Sequence, residues 1–273
     1  MFYITGDTHR DFSRFYNKGF TEEDAIIILG DAGINYCLNI NDAFFKKSIM
    51  THTPATIYCV RGNHEERPEN IPSIEIIYDE KVNGDVYYES NYPTIRYFMD
   101  GGIYKIEGLR ILVIGGAYSI DKDYRLRRNN YEIENSGWFP QEQLSVAEQK
   151  EILKNVKGQS FDLILTHTCP ISVEPYDLFL AGIDQATVDK SMETFLEDIN
   201  KNVDWFVWAF GHFHRDRVER PRVEQFFTDV EPLKELYDRW DNPQQAQAAY
   251  WVLDKSPNYD DTTYSENSYK VKL

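Results

Sequence analysis

The sequence predicts an α/β fold with mixed β-structure, and three observations carry that expectation. Apolar runs of strand length at residues 1–5, 25–29 and 55–60 are separated by helix-like segments, the pattern of parallel strands joined by crossovers. Residues 94–98, 102–106 and 110–114 follow one another at short intervals, the pattern of antiparallel strands. The main apolar runs end at glycine or threonine, next to Asp, Asn or His. That puts polar side chains at the carboxyl ends of a sheet, where α/β folds place their sites.

Taken in order, residues 1–5 read as a buried strand ending at Gly6-Asp7. Phe12, Phe15, Tyr16 and Phe20 then recur at roughly helical spacing. The run 25–29 is fully apolar and ends at Gly30-Asp31. Residues 41–50 look helical, with Asn39 or Asn41 as N-cap. The strand at 55–60 leads into Gly62-Asn63-His64-Glu65, and 65–80 begins as loop because of Pro68 and Pro72. Glu107-Gly108 is a tight-turn candidate. The stretch 118–137 is too long and polar for an ordinary connection, so it reads as a lid, a binding loop or an insertion. Residues 140–156 read as a helix with Pro140 at N1. A buried strand, 161–166, ends in His167, and 186–199 carries one apolar helical face. Residues 205–210 form a strand ending at Gly211-His212, and 217–228 close the β-structure around Pro221. This organisation predicts a main domain over 1–230 and a C-terminal extension over 231–273, helical at 233–240 and polar after it.

Composition narrows the function. The 273 residues are 42% hydrophobic, enough for a sizeable core. A net charge of −16 argues against non-specific binding to duplex DNA. Cys37, Cys59 and Cys169 are odd in number and lack metal-motif spacing, which suggests a reducing compartment. Residues 1–5 are already strand-like, which leaves no room for a signal peptide, and no apolar run has membrane-spanning length. The expected location is the cytoplasm, with no membrane partner.

Five of the six histidines (His9, His64, His167, His212 and His214) follow apolar runs, and each lies beside small or polar residues. His52 does not, and reads as a surface residue. Asp7 and Asp31 occupy equivalent strand ends. Imidazole, carboxylate and amide ligands without thiolate suit Mn, Fe, Zn, Ni or Co rather than Ca or Mg. The donors are too many for one tetrahedral ion. Two divalent ions sharing one carboxylate fit better, with Mn the first choice.

The ordered set Asp-x-His, Gly-Asp, Gly-Asn-His-Glu, Thr-His and Gly-His-x-His resembles the calcineurin-like metallophosphoesterase superfamily over residues 1 to about 230. The segments 115–119 and 137–140 are similar to small bacterial and phage members. The resemblance implies an αββα sandwich of two mixed β-sheets flanked by helices, and hydrolysis of a phosphate-ester substrate. It implies that Asp7, His9, Asp31 and His214 bind one metal. Asp31, Asn63, His167 and His212 would bind the second, with Asp31 bridging. His64 would contact the phosphoryl group and protonate the leaving oxygen while a bridging water or hydroxide attacks in line.

The sequence departs from that pattern in two places. Protein-phosphatase members carry an Asp that orients the catalytic His and an Arg that grips phosphate; here those positions are Ile34 and Asn35. Arg10 follows His9 where glycine is usual, and either contacts substrate or makes a salt bridge. Lys122, Arg125, Arg127 and Arg128 form the densest basic patch, a solvated loop or a phosphate clamp. Arg61 reads equally as a phosphate contact or a strand-end salt bridge, and Glu65 as structural. A phosphodiesterase is favoured, with a phosphomonoesterase as the alternative and a non-catalytic scaffold as a remote one.

Overall fold

A computed structural model describes residues 1–127 and 137–242. Its strands are β1 (Phe2–Thr5), β2 (Ala25–Ile28), β3 (Thr56–Cys59), β4 (Ile74–Asp79), β5 (Gly84–Glu89), β6 (Ile95–Phe98), β7 (Gly102–Ile106), β8 (Leu109–Ile114), β9 (Ser160–Thr166), β10 (Asp204–Phe210), β11 (Arg217–Arg220), β12 (Val223–Gln225) and β13 (Glu231–Pro232). The helices are α1 (Ile40–His52), α2 (Lys122–Arg127), α3 (Val146–Val156), α4 (Ser191–Asn202) and α5 (Leu233–Asp241).

The strands form two mixed sheets with the same plan. One runs β13-β1-β2-β3-β6-β5-β4 and the other β11-β12-β10-β9-β8-β7. In the first, β1, β2, β3 and β6 are parallel; in the second, β8, β9, β10 and β12 are. Antiparallel strands flank each parallel centre. Parallel strands covered on both faces must be apolar throughout, which explains the unbroken Ala25-Ile26-Ile27-Ile28 run, buried at every position.

Three apolar layers make the sandwich. Ile27, Tyr58, Val113, Leu165 and Ala209 lie in the cluster between the sheets. Ile26, Ile28 and Ile57 join Phe12, Phe15 and Ile49 in a second cluster, which α1 covers. Leu112, Ile164 and Trp208 join Ile152, Val156, Met192, Phe195 and Ile199 in a third, under α3 and α4. Leu233, Leu236 and Trp240 of α5 belong to the central layer, and β13 extends the first sheet beside β1. Among the described residues no helix is long and apolar enough to cross a membrane.

Several local expectations are corrected. Phe12 to Phe20 is not a helix: residues 13–15 form one 3-10 turn, and Asn17 and Gly19 leave the helical region at φ of 57° and 80°. Phe12 and Phe15 are nonetheless core residues. The helix expected from Pro140 starts at Val146, where Ser145 and Glu148 form a capping box. The helix expected from residue 186 starts at Ser191. Between α1 and β6 the chain forms an unforeseen hairpin, β4–β5, on the edge of the first sheet. The segment 94–98 does not pair with 102–106. Residues 99–101 carry the chain from one sheet to the other, and β6 lies parallel to β3. Of the two candidate caps on α1, Asn39 is the one used, its side chain accepting from Asn41 N. The expected turn at Glu107-Gly108 is present, both residues having positive φ.

Candidate metal centre

Asp7, His9, Asp31, Asn63, His64, His167, His212 and His214 meet where the two sheets present their strand ends. Each arrives on the short turn after a parallel strand, and the turns are packed too tightly for side chains at the intervening glycines. A Cβ on Gly62 would lie 2.0 Å from Asp31 Oδ1. A Cβ on Gly30, at φ +95°, would lie 2.1 Å from His167 Nδ1. His9, Asp31, His212 and His214 take φ of 43°, 49°, 70° and 53°. That left-handed region costs an L-residue about 1–2 kcal/mol and persists where surrounding structure holds it.

The carboxylates are held by backbone donors. Asp31 Oδ1 accepts from the amides of Asn63 and His64, both at 2.8 Å. Asp7 Oδ1 accepts from His212 N at 2.9 Å, a bond between the two sheets. The remaining oxygens face imidazoles. Asp7 Oδ2 is 3.3 Å from His214 Nε2 and 3.7 Å from His9 Nε2. Asp31 Oδ2 is 3.7 Å from His64 Nε2, while Oδ1 is 3.5 Å from His167 Nε2. His9 Nε2 and His214 Nε2 face each other at 2.8 Å.

Two side chains are oriented unambiguously. His167 Nδ1 lies 2.7 Å from the Leu29 carbonyl, so Nδ1 carries the proton and Nε2 points into the cluster. Ser119 Oγ donates to Glu142 Oε2 at 2.5 Å and accepts from Asn63 Nδ2 at 2.9 Å. The Asn63 carbonyl oxygen must then face His167 Nε2, 2.9 Å away. Two acceptors face each other unless a proton or a cation lies between them.

The electrostatics agree. Burial alone would raise the Asp7 carboxyl, but His167 and His214 overcome it and bring it down to about 2. Burial likewise works against the Asp31 charge, and His64 and His167 hold it well below the usual range. Burial disfavours a charged His167, yet Asp31 and Asp7 raise it to about 9. His212 is pushed down to about 3 by burial and by the neighbouring His167. The cluster therefore stores anionic charge that one imidazolium partly offsets, the condition that attracts divalent cations.

Three ligand groups can be drawn among the described residues: Asp7, His9 and His214; His9, Asp31 and His64; and Asp7, Asp31 and His167. His212 falls in none of them, although its ring lies 5.0 Å from that of His167. Arg10 is directed away, its Nη1 bonded to Asp42 at 2.6 Å and to the Gly33 carbonyl at 2.8 Å. Arg61 binds Asp100 and the carbonyls of Glu142 and Gly115, a strand-end role. Glu65 is buried and accepts from Gly33 N and Gly62 N, tying two ligand turns together. Arg127 is solvent-exposed, 4.0 Å from Asp123. Arg128 lies outside the described residues.

Arg125 alone among the described basic residues of that patch reaches the cluster. It is buried; Nε bonds Asp121 at 2.7 Å, Nη1 bonds the Gly137 carbonyl at 2.7 Å, and Nη2 lies 2.8 Å from His64 Nδ1. Sequence reasoning grouped it with its neighbours and missed Ser119 and Glu142 altogether. The only signal for Ser119 was its place in the segment 115–119, and Glu142, two residues past the segment 137–140, had none.

None of the curated proteins compared matches the chain. The family model for calcineurin-like phosphoesterases matches residues 1–216. The match takes in every strand end that feeds the cluster, from Asp7 to His214, and the chain belongs to the calcineurin-like phosphoesterases, a family of metal-dependent phosphoester hydrolases.

Proposed function

We propose that the chain is a dinuclear-metal phosphoesterase that cleaves phosphodiesters in preference to monoesters. The observation that carries this is the pair of buried carboxylates: Asp7 and Asp31 each belong to two of the three ligand groups, and Asp31 lies with His9 in one and with His167 in another. A carboxylate facing two groups can serve two ions. In this reading Asp7, His9, Asp31 and His214 hold one ion, and Asp31, Asn63, His167 and His212 hold the other. The donors fit: His167 Nε2 and Asn63 Oδ1 converge as acceptors, and a cation between them takes the place of a proton. Two divalent ions, Mn foremost, with Fe, Zn, Ni or Co as alternatives, would supply positive charge against phosphate and lower the pKa of an attacking water.

In this reading His64 gives a proton to the leaving oxygen. In the free site burial, helped by Arg125, keeps its imidazole neutral against the pull of Asp31. An anionic phosphoryl group beside it favours the charged form, which is the proton donor. Arg125 Nη2 is the guanidinium group that meets the phosphoryl oxygens, pre-set by Asp121 and Gly137. Ile34 and Asn35 are both buried and offer no second guanidinium. One guanidinium suits the single charge of a diester better than the two charges of a monoester. We place the catalytic domain at residues 1–230 with an extension over 231–273, the first part of which, β13 and α5, is built into the first sheet and the central layer. The free thiols of Cys37, Cys59 and Cys169 support a cytoplasmic setting.

The test is kcat/KM for matched aryl mono- and diesters with several metals. The diester should be preferred, and a strong monoester preference would overturn that assignment while leaving the metal centre standing. His64→Ala should keep both metals and lose about 10²–10⁴ in turnover. The loss should shrink for good leaving groups, which need no proton; an equal loss for good and poor leaving groups removes the acid role.

A further inference from the structure

We propose that a pocket beside the metal centre binds an uncharged planar arm of the ester, of the aryl or nucleobase kind. The proposal rests on the phosphoesterase reading. The pocket has a volume of about 460 Å³ and lies between residues 118–124 and 180–188. That size falls within the roughly 300–1,000 Å³ of small-molecule sites.

Two of its lining residues are linked to the metal centre. Tyr118 lines it, and the next residue, Ser119, sets the Asn63 amide. Asp121 also lines it and holds Arg125, which touches His64. The segment that lines the pocket is thus the one that sets Asn63 and Arg125 at the site, and the proposal directs one arm of an ester at His64 to that side.

The lining chemistry selects the arm. Tyr118 and Tyr124 supply ring faces, and stacking on such faces tolerates any flat group. Tyr124 is 63% exposed and Leu180 57%, large apolar surface gathered at one mouth rather than scattered. Asp121, Asp123 and Asp184 are the charged residues of the lining, and among the described residues no lysine or arginine contributes to it. Asp121 is engaged by Arg125, and Asp184 caps Ala186 N at 3.0 Å. Carboxylates repel a second phosphate and accept N–H or O–H donors from a base or sugar. The arm is therefore neutral and flat, not a polyphosphate tail.

Two diesters with the same aliphatic leaving group isolate this contact, since that group is not flat: thymidine 5′-(2,2,2-trifluoroethyl phosphate) and methyl 2,2,2-trifluoroethyl phosphate. The wild type should prefer the thymidine ester in kcat/KM by at least about tenfold, as base stacking allows. Tyr124→Ala should reduce that preference to below about threefold, and Tyr124→Phe, which keeps the ring face, should retain it. Absence of the preference in the wild type, or its survival in Tyr124→Ala, overturns the proposal. If neither ester is hydrolysed with any metal, the phosphoesterase reading fails separately. Binding of thymidine alone, followed by NMR, then decides the pocket: binding lost in Tyr124→Ala upholds it, and no binding to the wild type overturns it.

Discussion

The two sheets share one plan but contribute different chemistry to the site. The seven-stranded sheet delivers both carboxylates, Asp7 and Asp31, together with Asn63, His9 and His64. The six-stranded sheet delivers imidazoles only: His167, His212 and His214. Each sheet also backs its turns with one buried glutamate. Glu65 ties Gly33 to Gly62, and Glu193 of α4 accepts from Thr168 Oγ1 at 2.9 Å, one residue past His167. Burial lifts both carboxyls to about 7. Negative charge is thus concentrated on one side, and neutral or protonated ligands on the other. The halves are locked together by His167 Nδ1 on the Leu29 carbonyl and by His212 N on Asp7. In the proposed reading the first sheet would attract the cations, and the second would complete their coordination.

The sharpest way to break this contrast is to remove one member from each side. Asp31→Asn takes away a charge that two ligand groups share, and turnover should fall to the uncatalysed background with both metals weakened. His167→Gln removes one ligand and no fixed charge, so it should weaken one metal and leave the other bound. Metal content and turnover measured on the two variants check this. Equal metal loss in both would show that the sheets do not divide the work by charge.

A smaller effect should follow from Ser119→Ala. The hydroxyl touches neither carboxylate but fixes which end of the Asn63 amide faces the centre. Loss of such an orienting partner typically costs about 10–100-fold in metal affinity or activity. A metal titration should show one of two sites weakened. Unchanged affinity would mean that His167 alone orients the amide.

The smallest effect concerns the buried glutamates. Glu193 has one oxygen bonded to Thr168 and the other without a hydrogen-bond partner, so its charged form is poorly compensated. Its pKa is raised from 4.5 to about 7, so the folded state holds the proton more tightly than the unfolded state. Stability is then highest below the unfolded pKa and declines as pH rises towards 7. Glu193→Gln should match the wild type near pH 4.5 and exceed it at pH 8 by about 1–3 kcal/mol. Thermal unfolding at the two pH values reads this directly. Glu65→Gln should not gain in the same way, because both its oxygens already accept from backbone amides.

Much of this was legible from the chain. The strands that carry ligands are local apolar runs, and their ends are marked by glycines that tight turns require, so their order and chemistry could be read without coordinates. The β4–β5 hairpin was not legible, since an edge strand with Glu75, Ile76 and Tyr78 all facing solvent lacks the alternation of a half-buried strand. The start of α3 was legible in principle from Ser145 and Glu148, and Pro140 drew attention away from it.

What the sequence by itself determined is the set of Asp, Asn and His side chains that meet at the strand ends, because each sits on a turn whose direction its own strand dictates. What only the tertiary structure decided is the use of the arginines and of Ser119. Arg10, Arg61 and Arg125 each had a phosphate contact open to them in the sequence; the structure engages Arg10 with Asp42 and Arg61 with Asp100, and sets only Arg125 beside His64. An arginine has a long flexible stem and five donors. Its partner is whichever acceptor the packing of distant segments brings within reach, and neighbouring residues in the chain carry no record of that choice.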